Sequence, residues 1–360
     1  MKLKLLVPAI AGAASLALAG PALAIQTLTV TPEEYVVGGS GDFTISVAQE
    51  TADAPIAKLT IYAPVGYSSL FSQPLGAKIG TAQGTVILKA LAGAQAPVAG
   101  DIINDDPAKY ASNPSNLGCT GQATHAAVWL LNLTLAGQTL PVPVYVDRVT
   151  TGAETGFAGL KLQVCFSSPD VPASAGGAPN GAQPIAASMT LTDVIANPQT
   201  PGTYTWRTLF TPYQPGTANV NAAGTVEARS LVQLPTQLTM TGKRTKKIVK
   251  VKKKRVVQTW VTLSGALTQV NVGASGVPVV IKANGRAIKT VTTGANGAYK
   301  LTVRITKKTT FTAETSIAAR RDDATGCAGP AIAPGGCKSA TIAPATVKAR
   351  SPFTVSVYTR

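Results

Sequence analysis

The stretch VVIKANGRAIKTV, residues 279–291, decides the fold class of this chain. Two short alternating runs, VVIKA and RAIKTV, flank Asn284-Gly285. A two-residue Asn-Gly connection is the strongest local signal for a β-hairpin, because a type I′ turn needs a positive φ at both central positions. Asn296-Gly297 predicts a second such turn before the alternating run AYKLTVRI. The sequence therefore predicts antiparallel β structure in this region.

The same pattern runs through the rest of the chain. Gly (34) and Pro (25) interrupt the sequence every few residues, and no long stretch shows uninterrupted helical periodicity. AVWLLNLTL and TLPVPVYVDRV predict a hairpin, whose Pro141 and Pro143 indicate an edge strand because proline cannot donate to a ladder. Residues 92–124 have the composition of a loop. We predict an all-β protein of two β-sandwich domains, a large N-terminal one and a smaller C-terminal one.

The first 24 residues have the features of a secretory signal peptide. Lys2 and Lys4 provide a positive start, Leu5–Ala19 is an apolar run, and Ala22-Leu23-Ala24 is a small-x-small cleavage motif. The run is short for a membrane span, and no charged stop-transfer cluster follows it. We expect cleavage after Ala24 and export. The mature chain, without a transmembrane span, is then secreted or held at the cell envelope.

Charge divides the remaining chain near residue 240. Residues 25–240 contain 8 Lys and Arg against 13 Asp and Glu, whereas residues 241–360 contain 22 against 3. A change of composition this sharp indicates a domain boundary. We therefore predict one β-sandwich domain over residues 25–240 and a basic β-sandwich domain over residues 241–360.

The segment around the Asn-Gly hairpin resembles a known module. Ser264-Gly265-Ala266-Leu267, Gly276-Val277-Pro278-Val279 and the turn at residues 293–299 are similar to the bacterial Ig-like and carboxypeptidase-regulatory-like modules of secreted proteins, over about residues 257–318. The resemblance implies an Ig-like sandwich that serves as a spacer, a stalk or a binding unit. The N-terminal domain shows no comparable resemblance.

Four cysteines in an exported chain predict disulfide bonds. Of the three formal pairings, the domain layout favours Cys119–Cys165 and Cys327–Cys337, one in each domain. Zinc is the competing interpretation, but the chain has no CxxC motif and its only histidine, His125, lies far from the second pair in sequence. We expect no metal and no cofactor.

The most basic stretch is TGKRTKKIVKVKKKRVVQTW, residues 241–260, with nine Lys or Arg between Lys243 and Arg255. Valines on both sides of the KKKR run predict a strand, a solvated turn or bulge, and a second strand. The lysines are either a solvated strand edge or a site for anionic envelope material, namely wall polymers, acidic polysaccharide or lipid headgroups. Dedicated nucleic-acid binding is not expected, because no aromatic residue is interleaved for base stacking. The candidate polyanion-binding residues are Lys246, Lys247, Lys250, Lys252, Lys253, Lys254 and Arg255.

No motif identifies a catalytic residue. His125 has no accompanying G-x-S-x-G sequence, and the acidic run at residues 101–106 lacks the alternating pattern of a Ca²⁺ loop. A core position is the favoured alternative for each of Trp129, Trp206 and Trp260. Tyr204 and Trp206 share a face in GTYTW and are the candidate carbohydrate-facing aromatics. We predict a secreted, non-enzymatic structural or adhesion-type envelope protein. The alternative is a carbohydrate-binding protein, or a hydrolase seated in the N-terminal domain.

Overall fold

The computed structural model describes residues 26–358, so the expected signal peptide lies outside the described residues. The described chain is an all-β, sandwich-type structure, as the sequence predicted. Within these residues no helix is long and apolar enough to cross a membrane. The helical segments are α1 (Pro114–Thr120), α2 (Asp323–Gly326) and short 3-10 helices at Lys89–Leu91, Pro107–Tyr110, Ala153–Gly156, Ala173–Ala175, Pro179–Gly181 and Ala222–Gly224.

Strands follow one another with short connections along the whole described chain. The first part contains β1 (Thr27–Pro32), β2 (Ser40–Ala48), β3 (Ile56–Pro64), β4 (Ser68–Ser69), β5 (Lys78–Leu88), β6 (Ala94–Asp105), β7 (Ala127–Leu135), β8 (Gln138–Arg148), β9 (Ala158–Cys165), β10 (Ala182–Ala196), β11 (Gly202–Pro212) and β12 (Val226–Leu234). The second part contains β13 (Thr236–Leu238), β14 (Thr241–Val251), β15 (Lys254–Gln269), β16 (Val272–Gly273), β17 (Pro278–Ala283), β18 (Arg286–Thr292), β19 (Ala298–Ile305), β20 (Thr309–Ile317), β21 (Arg320–Arg321), β22 (Cys337–Ile342), β23 (Ala345–Lys348) and β24 (Phe353–Val355).

The largest sheet has the strand order β1-β2-β10-β5-β6-β7-β8-β9-β3-β11-β12-β22-β21, with β4 beside β10. It folds back on itself, because the backbone N–H of Val30 in β1 donates to Ser230 Oγ in β12 over 2.9 Å. Apolar side chains from alternate positions fill the space between the facing layers, as expected for half-buried strands. The largest fully buried side chains of this core include Trp206, Phe43, Leu28, Ile61, Ile79, Leu160 and Leu162.

Two sequence predictions for this sheet were wrong in detail. The segment predicted as a loop from residue 92 contains the twelve-residue strand β6, which pairs with both β5 and β7. Asp101 lies where both neighbours pair with β6, whereas Pro97 lies in the first part of the strand, which pairs with β5 alone and therefore tolerates a missing N–H. Strand β8 is an edge only in its first half, since β9 pairs with it from Val144 onward. Pro141 and Pro143 lie in that unpaired half, where a missing N–H costs nothing.

The second unit is built from two smaller sheets. One has the order β13-β15-β14, with β16 and β19 also paired to β15, and the other has the order β18-β17-β20-β23, with β24 beside β20. Their facing sides enclose a separate core. The predicted hairpin at Asn284-Gly285 is confirmed, with φ of 48° and 80° at the two turn residues. The core residues include Leu238, Val261, Leu263, Leu267, Val279, Ile281, Tyr299, Phe311 and Val355.

The predicted second hairpin turn, at Asn296-Gly297, is a crossover instead. Strands β18 and β19 on its two sides belong to different sheets and do not pair. Gly297 has φ of 69°, and a Cβ there would lie 2.1 Å from the carbonyl oxygen of Leu267. Gly297 is thus needed both for its backbone conformation and for a close approach of two chain segments.

The predicted division at residue 240 assigned all later residues to the second unit. In the structure, part of the last segment lies on the first unit instead. Strand β22 pairs in parallel with β12, and β21 pairs with β22, so both lie in the large sheet. Ala343 and Ala345 belong to the first core. The predicted disulfides are confirmed as Cys119–Cys165 and Cys327–Cys337, but the second one fastens a loop that lies on the N-terminal unit.

A buried cluster of charges holds that loop in place. Glu227 is completely buried and accepts from Arg229 Nε at 2.6 Å and from Arg207 Nη1 at 2.8 Å. Its second oxygen accepts from the backbone N–H of Ile332 over 2.8 Å. The Arg229 guanidinium also donates to three carbonyl oxygens of the loop, those of Gly326, Ala328 and Pro330. The charges are therefore paired and hydrogen-bonded, which a buried ion pair requires.

Breaking this cluster from one side should destabilise the protein strongly. Arg229→Met removes the nearest cation from the buried Glu227 carboxylate. Arg207 remains beside the carboxylate, but the donors to three loop carbonyl oxygens are lost as well. We expect the free energy of unfolding to fall by about 3–5 kcal/mol, the usual cost of removing one partner from a buried ion pair. Chemical denaturation at neutral pH, followed by circular dichroism, measures this change.

The double variant Glu227→Gln/Arg229→Met is the matched control, because it removes the two most buried charges together and nearly keeps the side-chain volumes, while Arg207 remains partly exposed to solvent. It should lose less stability than Arg229→Met alone. If the double variant is as unstable as the single one, packing of the loop and not the charge pair holds this region.

Candidate functional site

The basic stretch forms a regular hairpin that we call the basic ribbon, residues 241–264. Strand β14 pairs with β15 in continuous register from Thr241↔Ser264 to Val251↔Lys254. Lys252 and Lys253 form the two-residue turn, with φ of 48° and 63°. The predicted sequence of strand, solvated turn and strand is therefore confirmed. Lysine is an unusual residue for this turn, because side chains other than Gly and Asn pay a steric cost in the left-handed region.

The tip of the basic ribbon extends past the sheet that carries its base. Strand β19 pairs with β15 only from Thr259 to Ala266. From Lys247↔Gln258 to the turn, the two strands have only each other as ladder partners. Ile248 and Val251 near the tip have 60% and 48% of their side chains exposed, respectively. The tip is thus a two-stranded ribbon open to solvent on both faces.

Cations occupy both faces of the basic ribbon. Directly paired residues share a face of an antiparallel sheet. Arg244, Lys246 and Lys250 therefore lie on the face that continues from the buried Val261. Lys243 and Lys247 lie on the opposite face. That outer face is continued on β19 by Lys300 and Arg304, which pair with Ser264 and Trp260.

Trp260 lies at the centre of the outer face and is half-buried, unlike Trp129 and Trp206, which are core residues. The Lys247 ammonium nitrogen is 4.9 Å from the centroid of the Trp260 ring, a cation–π distance. The indole Nε1 donates to Gln258 Oε1 over 3.2 Å. A core position, the alternative for each Trp, is wrong for this one, because Trp260 alternates with the inward-facing Val261.

Within residues 26–358 the cations of the basic ribbon have no acidic partners. Strands β14, β15 and β19 contain no Asp or Glu. Among the ion pairs of residues 26–358, none involves a Lys or Arg from residues 243–255. All of the Lys and Arg side chains in that range are exposed to solvent. An unneutralised cluster of this kind produces a strong positive potential that attracts anions.

The base of the basic ribbon is tied to the second core. Arg244 Nη1 donates to the carbonyl oxygen of Ser356 over 3.1 Å, and its guanidinium lies 4.0 Å from the centroid of the Tyr358 ring. Thr259 Oγ1 accepts from the backbone N–H of Tyr358 over 2.8 Å. The C-terminal segment therefore fixes where the free part of the basic ribbon begins, which the sequence did not indicate.

The aromatic pair proposed for carbohydrate does not face solvent. Tyr204 and Trp206 share a face of β11, as predicted, but it is the inner one. Trp206 is completely buried, with its ring centroid 4.9 Å from that of Tyr67. The Tyr204 hydroxyl donates to the carbonyl oxygen of Thr200 over 2.6 Å. Period-two alternation shows which residues share a face but not which face is buried, so this prediction was wrong.

His125 lies in a closed hydrogen-bonded cluster beneath α1. Its Nδ1 is 2.7 Å from Asp147 Oδ2 and its Nε2 is 2.9 Å from Asn116 Oδ1, and 1% of its side chain is exposed. The nearest hydroxyl, Thr120 Oγ1, is 3.3 Å from Nε2 and also lies 3.0 Å from the carbonyl oxygens of Asn116 and Gln122. The carboxylate of Asp147 and the hydroxyl of Thr120 both lie near the imidazole. The His125 side chain is nevertheless too deeply buried to contact a substrate.

The acidic side chains at residues 101–106 do not converge. Asp101 pairs with Lys78 at 2.7 Å, whereas Asp105 accepts from Lys109 Nζ at 2.6 Å and from the Tyr110 hydroxyl at 2.9 Å. Partial burial opposes ionisation of Asp105, but these donors and the Asp106 N–H outweigh it and hold its pKa below the ordinary value. Across residues 26–358 no group of three or more His, Cys, Asp or Glu is placed to hold a metal ion.

No protein-family model and no curated protein matches this chain. The basic ribbon, defined by its register, exposure and lack of acidic partners, is therefore the candidate site with the most support from the molecule itself. The sequence pattern identified its lysines, whereas Lys300 and Arg304 join this surface only through the pairing of β15 with β19.

The lowered pKa of Asp105 predicts a specific dependence of stability on pH. A carboxylate whose folded-state pKa lies below its unfolded value of about 3.9 stabilises the fold above that value, and the contribution disappears as pH falls through the folded pKa. Asp105→Asn should therefore lower the denaturation midpoint at pH 7 and cost progressively less below about pH 4. Urea titrations of both proteins between pH 7 and pH 2.5 measure the difference.

Asp101→Asn is the control, because its ion pair with Lys78 is exposed on both sides, with side-chain exposures of 51% and 54%. Exposed pairs contribute little, so this variant should match the wild type at every pH. Equal behaviour of the two variants would contradict the role assigned to the donors around Asp105.

Proposed function

We propose that this protein is an exported, non-enzymatic structural or adhesion-type component of the cell envelope that holds anionic envelope polymers through the basic ribbon. The observation that carries the proposal is the absence of any acidic partner for the ribbon cations within the described residues, combined with their exposure to solvent. A cation that neutralises no internal charge is available to an external anion.

The shape of the basic ribbon suits a linear polyanion. Consecutive cations, namely Lys243 and Arg244, Lys246 and Lys247, and Lys254 and Arg255, lie on opposite faces of the ribbon, and strand residues are about 3.3 Å apart. A polymer with regularly spaced phosphates or carboxylates can contact several cations at once and release its condensed counterions, which supplies affinity without sequence readout. The ribbon's exposure on both faces gives the polymer two surfaces along which to lie.

The setting of the ribbon supports an extracellular role. Both disulfide bonds favour an oxidising compartment. The ribbon is carried by a unit of two facing sheets, which agrees with the proposed Ig-like module over about residues 257–318. In that arrangement the N-terminal unit acts as a scaffold and the basic unit makes contact with the envelope.

Acidic polysaccharide is the second candidate ligand, and Trp260 is the observation that favours it. Its half-buried ring lies among Lys247, Arg304 and the hydroxyls of Thr262 and Thr302, which are 3.0 Å apart. An aromatic plane beside cations and hydroxyls can stack on a sugar ring while a carboxylate meets the lysines. Polyphosphate offers no such ring, so the two candidate polymers depend differently on Trp260.

Removing ribbon charges should weaken polymer binding in a salt-dependent manner. The variant Lys247→Gln/Lys250→Gln/Lys254→Gln/Arg255→Gln leaves the turn residues unchanged. We expect weaker binding of linear polyphosphate, with the slope of log affinity against log salt reduced by roughly 0.7–0.9 for each phosphate that no longer meets a cation. Fluorescence anisotropy with labelled polyphosphate at 50–300 mM NaCl measures both, and anionic phospholipid vesicles form a separate arm that tests lipid headgroups.

The matched control, Arg286→Gln/Lys289→Gln/Lys307→Gln/Lys308→Gln, makes the same change of net charge outside the ribbon. It should keep the wild-type salt slope. A second ribbon variant, Lys252→Asn/Lys253→Gly, removes two charges while supplying the residues that a type I′ turn prefers, so weaker binding by this variant cannot come from a failure to fold. If control and ribbon variants bind alike, the attraction is non-specific and the proposal is wrong.

Trp260→Leu separates the two polymers. We expect it to weaken binding of polygalacturonate, because the flat indole face on which a sugar ring can stack is lost. Polyphosphate binding should stay within about twofold of the wild type, since phosphates have no face to stack. Anisotropy competition with unlabelled polymers provides the measurement, and equal weakening for both polymers would exclude a stacking role.

A further inference from the structure

A cavity of about 230 Å³ lies inside the N-terminal unit, between the facing layers of the large sheet. One wall comes from β2, β5 and β10, and the other from β3, β7, β8 and β9. Interiors of folded proteins are packed as densely as organic crystals and contain few voids larger than a water molecule. An apolar cavity of about 150 Å³ already accommodates benzene, so this one is large enough for a ligand.

Nearly the whole lining is aliphatic. The polar side chains among the lining residues are Gln83, Ser167 and Ser188, and every lining residue is uncharged. Ser188 is already hydrogen-bonded to Ser46 over 2.9 Å. Water in a cavity needs two to four polar partners, which these walls do not offer. The apolar lining residues include Ile45, Leu59, Ile61, Leu131, Leu133, Val142, Val144, Val164 and Met189.

The side chains around one end of the cavity are only partly buried, which gives the cavity a mouth. On β8, Val144 and Val146 are fully buried, whereas Leu140 and Val142, on the same face, are half-exposed. Leu133 and Phe166 are half-exposed beside them. Apolar side chains exposed to water and an unfilled cavity both lower the stability of a protein. A ligand that fills the cavity and covers these side chains would remove both costs.

The lining of the cavity extends along one strand. Its lining follows β8 from Leu140 to Val144, a span of four residues or about 13 Å at 3.3 Å per residue. A volume of about 230 Å³ spread over that length suits a hydrocarbon chain better than a compact ring system. Because no charge lines the walls or the mouth, the chain can carry a head group of either sign that remains in solvent.

We propose that this cavity binds a single hydrocarbon chain, such as the acyl chain of an amphiphile, with its end near Val144 and its head group at the mouth beside Phe166 and Ser167. The site is separate from the basic ribbon and does not depend on polymer binding. The ligand is recognised by burial of its methylene groups, each contributing in proportion to the apolar area removed from water.

Isothermal titration of the chain from residue 25 onward, with dodecanoate and with dodecyltrimethylammonium below their micelle concentrations, tests the proposal. Both should bind saturably at one site with similar affinity, because the cavity is uncharged. The ribbon variant Lys247→Gln/Lys250→Gln/Lys254→Gln/Arg255→Gln should bind both equally well. Binding of dodecanoate alone, abolished in the ribbon variant, would show simple attraction to the basic surface and would overturn the proposal.

Filling the cavity supplies the structural test. Ala82→Leu and Val142→Phe each place added carbon atoms in the cavity, and we expect affinity for both amphiphiles to fall about tenfold or more, because fewer methylene groups of the ligand can then be buried. Thr134→Phe, on the exposed outer face of β7, is the control and should bind like the wild type. Thermal melting checks that the filled variants remain folded. Unchanged affinity in folded, filled variants, or no saturable binding by the wild type, would refute the site.

Discussion

The buried carboxylate of Glu227 is the interaction on which the arrangement of this molecule depends. A charge without solvent must be surrounded by donors, and here they come from β11, from β12 and from the loop closed by Cys327–Cys337. Satisfying them draws β22 alongside β12 in parallel, although almost the whole of the second unit lies between these strands in sequence. Strand β12 also accepts the hydrogen bond from β1. Strand β1 from the beginning of the described chain and strand β22 from its later part therefore both contact β12.

This closure has a consequence for the charged surface. The segment from Arg320 to Ile342 leaves the second unit and contributes β21 and β22 to the large sheet. The residues that follow then return to the second unit, where Val355 completes the core. The return brings Ser356 and Tyr358 against Arg244 and Thr259, which anchors the base of the basic ribbon. The exposed cations thus stand on a braced sheet, while the apolar cavity lies in the other unit. The basic ribbon and the apolar cavity therefore lie in different units, and each site can bind its ligand without the other.

Local patterns were reliable where the backbone itself limits the choices. The Asn284-Gly285 turn, the strand–turn–strand prediction for the basic stretch and both disulfide pairings are confirmed. Predictions were wrong where they rested on the composition of a segment, because composition does not show which strands the segment pairs with. Strand β6, with its Pro, Gly and Asp residues, has the composition of a loop but is held by β5 and β7 on its two sides. The edge assignment of β8 held only for the half that contains its two prolines.

The sequence by itself determined the all-β class, the segregation of positive charge beyond residue 240 and the identity of the ribbon lysines, because alternation, turn chemistry and charge are local properties. Tertiary structure alone decided which faces are buried, and so moved Trp206 into the core and left Trp260 half-exposed beside Lys247. It also decided that His125 is enclosed, that Arg304 joins the ribbon surface and that facing layers leave a cavity. These outcomes depend on contacts between residues far apart in sequence, and no local pattern encodes which distant strand becomes a neighbour.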